Sequence, residues 1–261
     1  MKVSLIITTF NWPQALALSL KSIQFQTTLP DEVIIADDGS SIETQKEILK
    51  FQQASNLKII HSWQQNKGFR AAKSRNKAIA KSDADYLILI DGDMILHPKF
   101  IQDHINNAEK GCFIQGTRVL LTKGATQGVL KRMSMSFSFF SYGIKNRKNL
   151  IHSNFLSKIF LKKKNYLRGI KTCNMSFFKK DCVHINGFND DFEGWGREDT
   201  EFAVRLLNSG IIRKNIHFNS IQFHLWHIEN IRTSLIKNDL LLESVINSNS
   251  SWCNNGIDKY L

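Results

Sequence analysis

The chain has 261 residues, 42% of them hydrophobic, which is enough for a full globular core and too much for a disordered polymer. No apolar run reaches the roughly 18 residues of a membrane-spanning helix, and the opening Met1-Lys2-Val3-Ser4-Leu5-Ile6-Ile7 is too short and too strand-like for a signal peptide. The formal net charge is +12, but 16 of the 35 Lys and Arg lie between Lys110 and Lys180, a stretch without Asp or Glu, so the rest carries 19 basic against 23 acidic side chains.

The first 120 residues alternate strand and helix. Val3 to Thr9 reads as an apolar strand, and Pro13 then sits at a helix start, where its missing N–H costs nothing. Leu16, Leu20 and Ile23 follow at helical spacing. Glu32 to Asp37 is a second strand, closed by the turn signal Asp37-Asp38-Gly39-Ser40. Glu43 to Gln53 reads as a helix, Leu57 to His61 as a strand, Ala71 to Lys81 as a helix and Tyr86 to Ile90 as the fourth strand. Beyond it, Phe113 to Leu121 reads as a strand, Asn174 to Phe178 as a strand returning to the sheet, Glu198 to Asn208 as a helix capped by Gly210, and Ile221 to His227 as a strand. The last 25 residues read as a helix and a tail. Alternating strands and helices predict parallel pairing through right-handed crossovers, with ligands bound beyond the carboxyl ends of the strands. Three of those ends are polar: Thr8-Thr9-Phe10-Asn11, Asp37-Asp38 and Asp91-Gly92-Asp93.

Tyr86-Leu87-Ile88-Leu89-Ile90 is apolar throughout, as in a strand buried on both faces, and it ends in two carboxylates one residue apart. Left alone these repel; a Mg²⁺ or Mn²⁺ ion, with the substrate phosphate that accompanies it, removes the repulsion. Lys67-Gly68-Phe69-Arg70 and Arg75 place cations near a helix start, where a diphosphate compensates them. Gly194-Trp195-Gly196 sets a large ring between glycines, able to lie on a sugar. Glu198 and Asp199 fall in the first turn of the next helix, and a carboxylate beside a sugar hydroxyl can take its proton. In His224-Leu225-Trp226-His227 the histidines are three apart; on a strand they point to opposite faces, so one of them is expected to join Asp93. Cys112, Cys173, Cys182 and Cys253 form no Cys-x-x-Cys pair and read as free thiols in a reducing cytosol. The acid-free block interleaves its cations with Phe137-Ser138-Phe139-Phe140 and Phe155-Leu156-Ser157-Lys158-Ile159-Phe160. It reads either as a solvated insertion or as a face for an anionic membrane or an acidic acceptor; no nucleic-acid motif accompanies it.

Together, Ile6 to Asn11, Asp37 to Ser40, Asn66-Lys67-Gly68 with Arg75-Asn76, Asp91-Gly92-Asp93 and Gly-Trp-Gly-x-Glu-Asp resemble a family 2 glycosyltransferase of the GT-A fold. The last segment is also similar to the motif of galactosyl- and N-acetylgalactosaminyltransferases and of chondroitin-type polymerases. The resemblance implies a single α/β domain over 1–261, with a Rossmann-like, mostly parallel sheet flanked by helices. Residues 1–110 would bind the nucleotide-sugar, and 111–261, with the basic segment 110–180, would form a mixed acceptor side. It further implies that Asp37 or Asp38 holds the uracil or ribose of a UDP-sugar, with Thr9 and Asn11 alongside, and that Asp91 meets ribose or sugar. Asp93 would bind Mn²⁺ or Mg²⁺ on the diphosphate, near Lys67, Arg70 and Arg75. His227 matches the second histidine of a His-x-x-His metal motif, Asp199 the general base with Glu198 beside it, and Trp195 a sugar platform. Arg197 departs from the pattern, standing where those relatives often carry glycine. The expected activity is metal-dependent inverting transfer of a hexose or N-acetylhexosamine, galactose or N-acetylgalactosamine favoured, to a glycan or lipid-linked hydroxyl. The expected place is the cytoplasm, peripheral at the inner membrane face. A sugar-1-phosphate nucleotidyltransferase is the rival enzyme, but Thr9-Phe10-Asn11-Trp12-Pro13 lacks its glycine-rich loop. A non-catalytic carbohydrate- or membrane-binding module is the rival from another class.

Overall fold

The computed structural model describes residues 1–228 and 232–261. Four parallel strands, β1 (Val3–Thr9), β2 (Glu32–Asp37), β3 (Lys58–Trp63) and β4 (Tyr86–Asp91), alternate with α1 (Pro13–Gln24), α2 (Ile42–Ala54) and α3 (Ala71–Ala80). The short β5 (Met94–Leu96) and α4 (Phe100–Asn107) follow. Next come β6 (Cys112–Gln115), β7 (Val119–Leu121), α5 (Lys123–Arg132), β8 (Ile144–Lys145), α6 (Asn154–Phe160) and β9 (Lys162–Lys163). The chain continues through β10 (Met175–Phe178), α7 (Lys179–His184), α8 (Glu198–Asn208), β11 (Ile212–Asn215), β12 (Gln222–His224) and α9 (Leu235–Ser248).

The main sheet has eight strands in the order β3-β2-β1-β4-β10-β6-β11-β9. Its first four strands are parallel, while β10 runs antiparallel between β4 and β6. One face of β1, β2 and β4 (Leu5, Ile7, Val33, Ile35, Ile88, Ile90) packs on Leu16, Leu20 and Ile23 of α1. The other (Ile6, Ile34, Leu87, Leu89) packs on Ala72, Ala78 and Ile79 of α3 and, further along, on Phe202 and Leu206 of α8. A strand covered on both faces has to be apolar along its whole length, which is why β4 admits charge only at its end. A second sheet, β5-β12-β7-β8, covers Ala15 and Leu18 of α1 with Ile95, Val119, Leu121 and Phe223.

Two expected strands are shorter than their apolar runs. Phe113 to Leu121 breaks into β6 and β7, which belong to different sheets. The break is at Gly116, where the backbone passes so close to the Asn174 amide that a side chain would collide with it. Ile221 to His227 keeps strand geometry only over Gln222–His224. After His224 the chain leaves the sheet, so the period-two rule that set its two histidines on opposite faces does not apply. No helix among the described residues is long and apolar enough to cross a membrane. The four cysteines are free and buried.

Candidate active site

Register decides which strand ends meet. Thr9 pairs with Asp37 and Thr8 with Asp91, so the three polar ends lie side by side. The loops between them are tied by their own polar groups. Asn11, in left-handed conformation at φ 45°, accepts from the Ser41 N–H and gives its own N–H to the Ser40 hydroxyl. The carbonyl of Thr9 accepts the Asp38 N–H. Asp37 is buried, accepting from the Ser40 N–H at 2.8 Å and meeting His61 Nε2 at 2.8 Å. Asp38 takes the N–H of Arg70 at 2.6 Å and the Gln64 amide at 2.6 Å, which pins the start of α3 beside the end of β2. Burial pushes its pKa up, against the pull of those donors. Lys67 is exposed on the loop before, and the Arg70 guanidinium bonds back to the Gln65 carbonyl.

Arg75 is the hub of the site. It lies inside α3 rather than at its start, is 4% exposed, and commits its guanidinium to protein groups. Its Nε donates to Thr8 Oγ1 at 3.2 Å; one Nη meets Glu198 at 3.3 Å and Asp199 at 3.2 Å, and the other lies 3.6 Å from Asp91. One cation thus gathers carboxylates from β4 and from the first turn of α8. Three acids around one guanidinium cannot all ionise easily. Burial, then the neighbouring Asp199, pushes Glu198 up to about 7 despite Arg75. Burial likewise pushes Asp91 up to about 6, although a third of its side chain still meets solvent at the cleft floor. Arg75 itself is held charged: burial opposes its charge but Asp199, Glu198 and Asp91 outweigh it. The cluster therefore disfavours the charged forms of Glu198 and Asp91.

Asp199 is oriented by Thr172, whose hydroxyl donates to Oδ1 at 2.8 Å and whose N–H donates to Oδ2 at 2.9 Å. Trp195 is 37% exposed, with the Arg232 guanidinium 5.0 Å from its ring centroid. Its loop hangs on two anchors. The Gly194 N–H bonds to the Phe69 carbonyl, and the Asn238 amide of α9 bonds to the Glu193 and Gly196 carbonyls. Gly194, Gly196 and Arg197 all have positive φ. Arg197, at φ 78°, turns its side chain outward to Asp239 of α9.

Asp93 Oδ2 lies 3.2 Å from His224 Nε2 and 3.3 Å from His227 Nε2. These are about the separations of two ligands at right angles on one ion with ligand bonds near 2.1 Å. His227 Nδ1 bonds the Ile228 carbonyl at 2.8 Å, a contact that puts the proton on Nδ1 and frees the Nε2 lone pair. Asp93 Oδ1 is buried with no hydrogen-bond partner. One carboxylate and two imidazoles with an orphaned buried oxygen fit a divalent cation. Two nitrogen donors suit a first-row transition ion such as Mn²⁺ better than Mg²⁺, which prefers oxygen. Both histidines can therefore share one ion, where the sequence pattern allowed only one.

Two residues of the site carry no signal in the sequence. Thr172 lies outside any regular strand or long helix. Arg118 places its guanidinium 3.7 Å from Cys173 Sγ, within electrostatic reach of Asp91, but in the sequence it is one cation of a basic block.

A mixed sheet of this order, with carboxylates converging where its parallel strands end, is that of a GT-A glycosyltransferase. The family model for glycosyl transferase family 2 matches residues 4–181, and the chain belongs to that family. A second model, described as the N-terminal domain of galactosyltransferase, matches residues 156–227, the stretch that holds Thr172, Asp199 and both histidines. Similar proteins include the hyaluronan synthase of Pasteurella multocida, 27% identical over 233 residues, 82% of this chain and 24% of that protein. The chondroitin synthase of Escherichia coli is 23% identical over 241 residues, 82% of this chain and 33% of the other. The chain thus spans about a quarter to a third of the length of these relatives. In fold it is similar to residues 1–349 of S. aureus TarS solved with UDP, with a TM-score of 0.63 and 15% identity, covering 94% of this chain and 65% of that one.

Proposed function

We propose that this chain is a metal-dependent inverting transferase that moves a hexose or N-acetylhexosamine from a UDP-sugar to a hydroxyl of a glycan or lipid-linked acceptor. Galactose and N-acetylgalactosamine are the favoured sugars, and bacterial surface polysaccharide synthesis is the setting. The observation that carries this reading is the joining, through Arg75, of the Asp91 strand end to Glu198 and Asp199 of α8, beside the Asp93, His224 and His227 cluster. A site of this kind needs both a place for a nucleotide diphosphate and a base for an acceptor. The names of the relatives, synthases of hyaluronan and chondroitin, and the UDP held by the TarS structure support it.

In this reading Asp199, oriented by Thr172, takes the proton of the acceptor hydroxyl. That oxygen attacks C1 of the donor sugar from the face opposite UDP, the C1–O bond to the diphosphate breaks, and the anomeric configuration inverts. Asp93, His224 and His227 would hold the divalent cation, which when bound supplies Lewis-acid charge for the departing diphosphate. Arg118 adds a fixed positive charge near the same end. Arg75 sets the spacing of the carboxylates, and the upward push on the Glu198 pKa limits the charge crowded around it. Asp37 or Asp38, with Thr9 and Asn11, would line the uracil and ribose side, Lys67 and Arg70 the diphosphate side, and Trp195 the sugar platform. The basic segment 110–180 would face the acceptor or an anionic inner-membrane surface.

The test is UDP release from a panel of UDP-sugars, with Mn²⁺ and with chelator, on the parent chain and on Asp93→Ala. Metal-dependent hydrolysis of one donor, lost in the variant, supports the reading and names the sugar. UDP affinity that is the same with Mn²⁺, with chelator and in Asp93→Ala would overturn it.

A further inference from the structure

A second cleft, of about 240 Å³, is lined by Thr117, Lys148, Asn149, Phe160, Lys162 and His217. No acid lines it. Lys163 and Lys214 nearby share Glu109, but the ammonium groups of Lys148 and Lys162 have no ion-pair partner among the described residues. His217 is half-buried, and burial, then Lys162, Lys148 and Arg213, push its pKa below the ordinary imidazole range. The charged groups acting on that ring are thus all cations, from β9, from the turn after β8 and from β11. Two ammonium groups beside an imidazole, in a cleft that no acid lines, make a site for a doubly charged oxyanion, whose charge would offset the cations that now hold the ring neutral.

The surroundings say where that oxyanion comes from. Phe160 forms one wall and ends α6, whose Phe155 and Ile159, four residues apart on one face, are 72% and 58% exposed. Phe140 and Tyr142 are each 89% exposed. Their loop is tied to the turn that carries Lys148 and Asn149, because the Arg147 guanidinium donates to the Phe139 carbonyl. Large apolar tips close in sequence to the lysines of an acid-free cleft match the headgroup boundary of an anionic bilayer. One backbone segment joins the cleft to the arginine near Asp91: Thr117 precedes Arg118, whose carbonyl accepts from the Asn149 amide at 3.0 Å.

We propose that this cleft binds the phosphate ester of a membrane lipid, with α6 and the 139–142 loop seated in the headgroup layer, so that a lipid-phosphate-linked acceptor is delivered to Asp199 from the bilayer. The proposal rests on the reading of the acceptor as lipid-linked, and deepens it by naming the group that is held.

The test has two arms. In the first, the chain is mixed with vesicles of phosphatidylcholine alone and of phosphatidylcholine containing phosphatidic acid, at physiological salt. In the second, His217 is titrated by NMR with chloride replaced by inorganic phosphate at constant ionic strength. The parent chain should bind the phosphatidic acid vesicles and not the neutral ones, and phosphate should raise the His217 pKa. Lys148→Ala with Lys162→Ala should lower the vesicle partition coefficient by about fivefold per lysine and abolish the phosphate response of His217. Phe155→Ser with Ile159→Ser should lose the vesicles and keep the response to phosphate. A His217 that ignores phosphate, or vesicle binding undiminished in the double lysine variant, overturns the site. Phosphate binding without vesicle binding overturns the lipid source. Neither arm uses a sugar donor, so failure here leaves the transfer reading intact, and failure to release UDP leaves this site intact.

Discussion

Asp199 receives three protein donors yet keeps 22% of its side chain in solvent, enough for one acceptor hydroxyl. Asp199→Asn keeps the shape and removes the carboxylate proposed as the base. Transfer should fall by roughly 10²–10⁴-fold, as for loss of a general base, while UDP affinity in Mn²⁺ stays within error; calorimetry beside a transfer assay checks both. Arg197 tells the opposite story. It is a bulky residue in a left-handed conformation that glycine adopts freely, and its pair with Asp239 is exposed and worth little. Arg197→Gly should therefore leave stability unchanged or raise it by about 1 kcal/mol in urea unfolding, and a loss of several kcal/mol would contradict the strain. At this scale the sequence is legible where a residue type clashes with its neighbours. Two aspartates ending a buried strand, or tryptophan between glycines, stand out. Thr172 clashes with nothing and has no periodic neighbours, so only the folded chain brings it to Asp199.

Within α8 the exposed-face and buried-face rules conflict at one pair. Glu201 and Arg205, one turn apart, are both fully buried; Arg205 Nε and Nη2 donate to the carboxylate at 2.7 and 2.8 Å, and Nη1 donates to the Ile185 carbonyl. Arg205→Ala would strand a buried carboxylate and should cost about 3–5 kcal/mol of unfolding free energy, whereas replacing both residues by apolar ones of similar volume should restore most of it. A single variant within 1 kcal/mol of the parent would argue against the pair. Long elements were readable because period and burial agree: β1, β2, β4, α1 and α3 begin and end within a few residues of their patterns. Where the chain changes sheets the apolar run continues and the strand does not. The apolar pattern therefore hides the break at Gly116 and extends the expected strand past β12 to His227. The two-residue strands β8 and β9 carry no pattern at all.

Over the whole molecule, pH acts on the core as well as on the cleft. His104 is fully buried between Ser176 Oγ at 2.8 Å and Asn174 Oδ1 at 3.0 Å, and burial pushes its pKa down to about 3. The folded chain keeps the ring neutral where the unfolded chain, with an ordinary imidazole, takes up a proton below about pH 6.5. The stability tied to this group is present above that pH and is lost progressively as pH falls towards 3; by pH 5 the loss is about 2 kcal/mol. Urea midpoints at pH 7 and 5, with NMR showing His104 still neutral at pH 5, check it; a protonated ring at pH 5 would sink the claim. The acid cluster around Arg75 has a consequence for ligand binding. With Asp91, Asp93 and Asp199 close to two arginines, the cleft sets carboxylates against an incoming diphosphate, and a cation offsets them. Nucleotide and ion then become thermodynamically linked, each carrying part of the other's affinity, and the factor must be the same in both directions. Saturating UDP should tighten Mn²⁺ by roughly 5–150-fold, and Mn²⁺ should tighten UDP by that same factor. A factor of one, measured by titrating either with and without the other, would mean that they do not share the cleft. If the coupling is large, a cell short of the metal would leave the chain unable to hold its donor, and flux through it would follow metal supply.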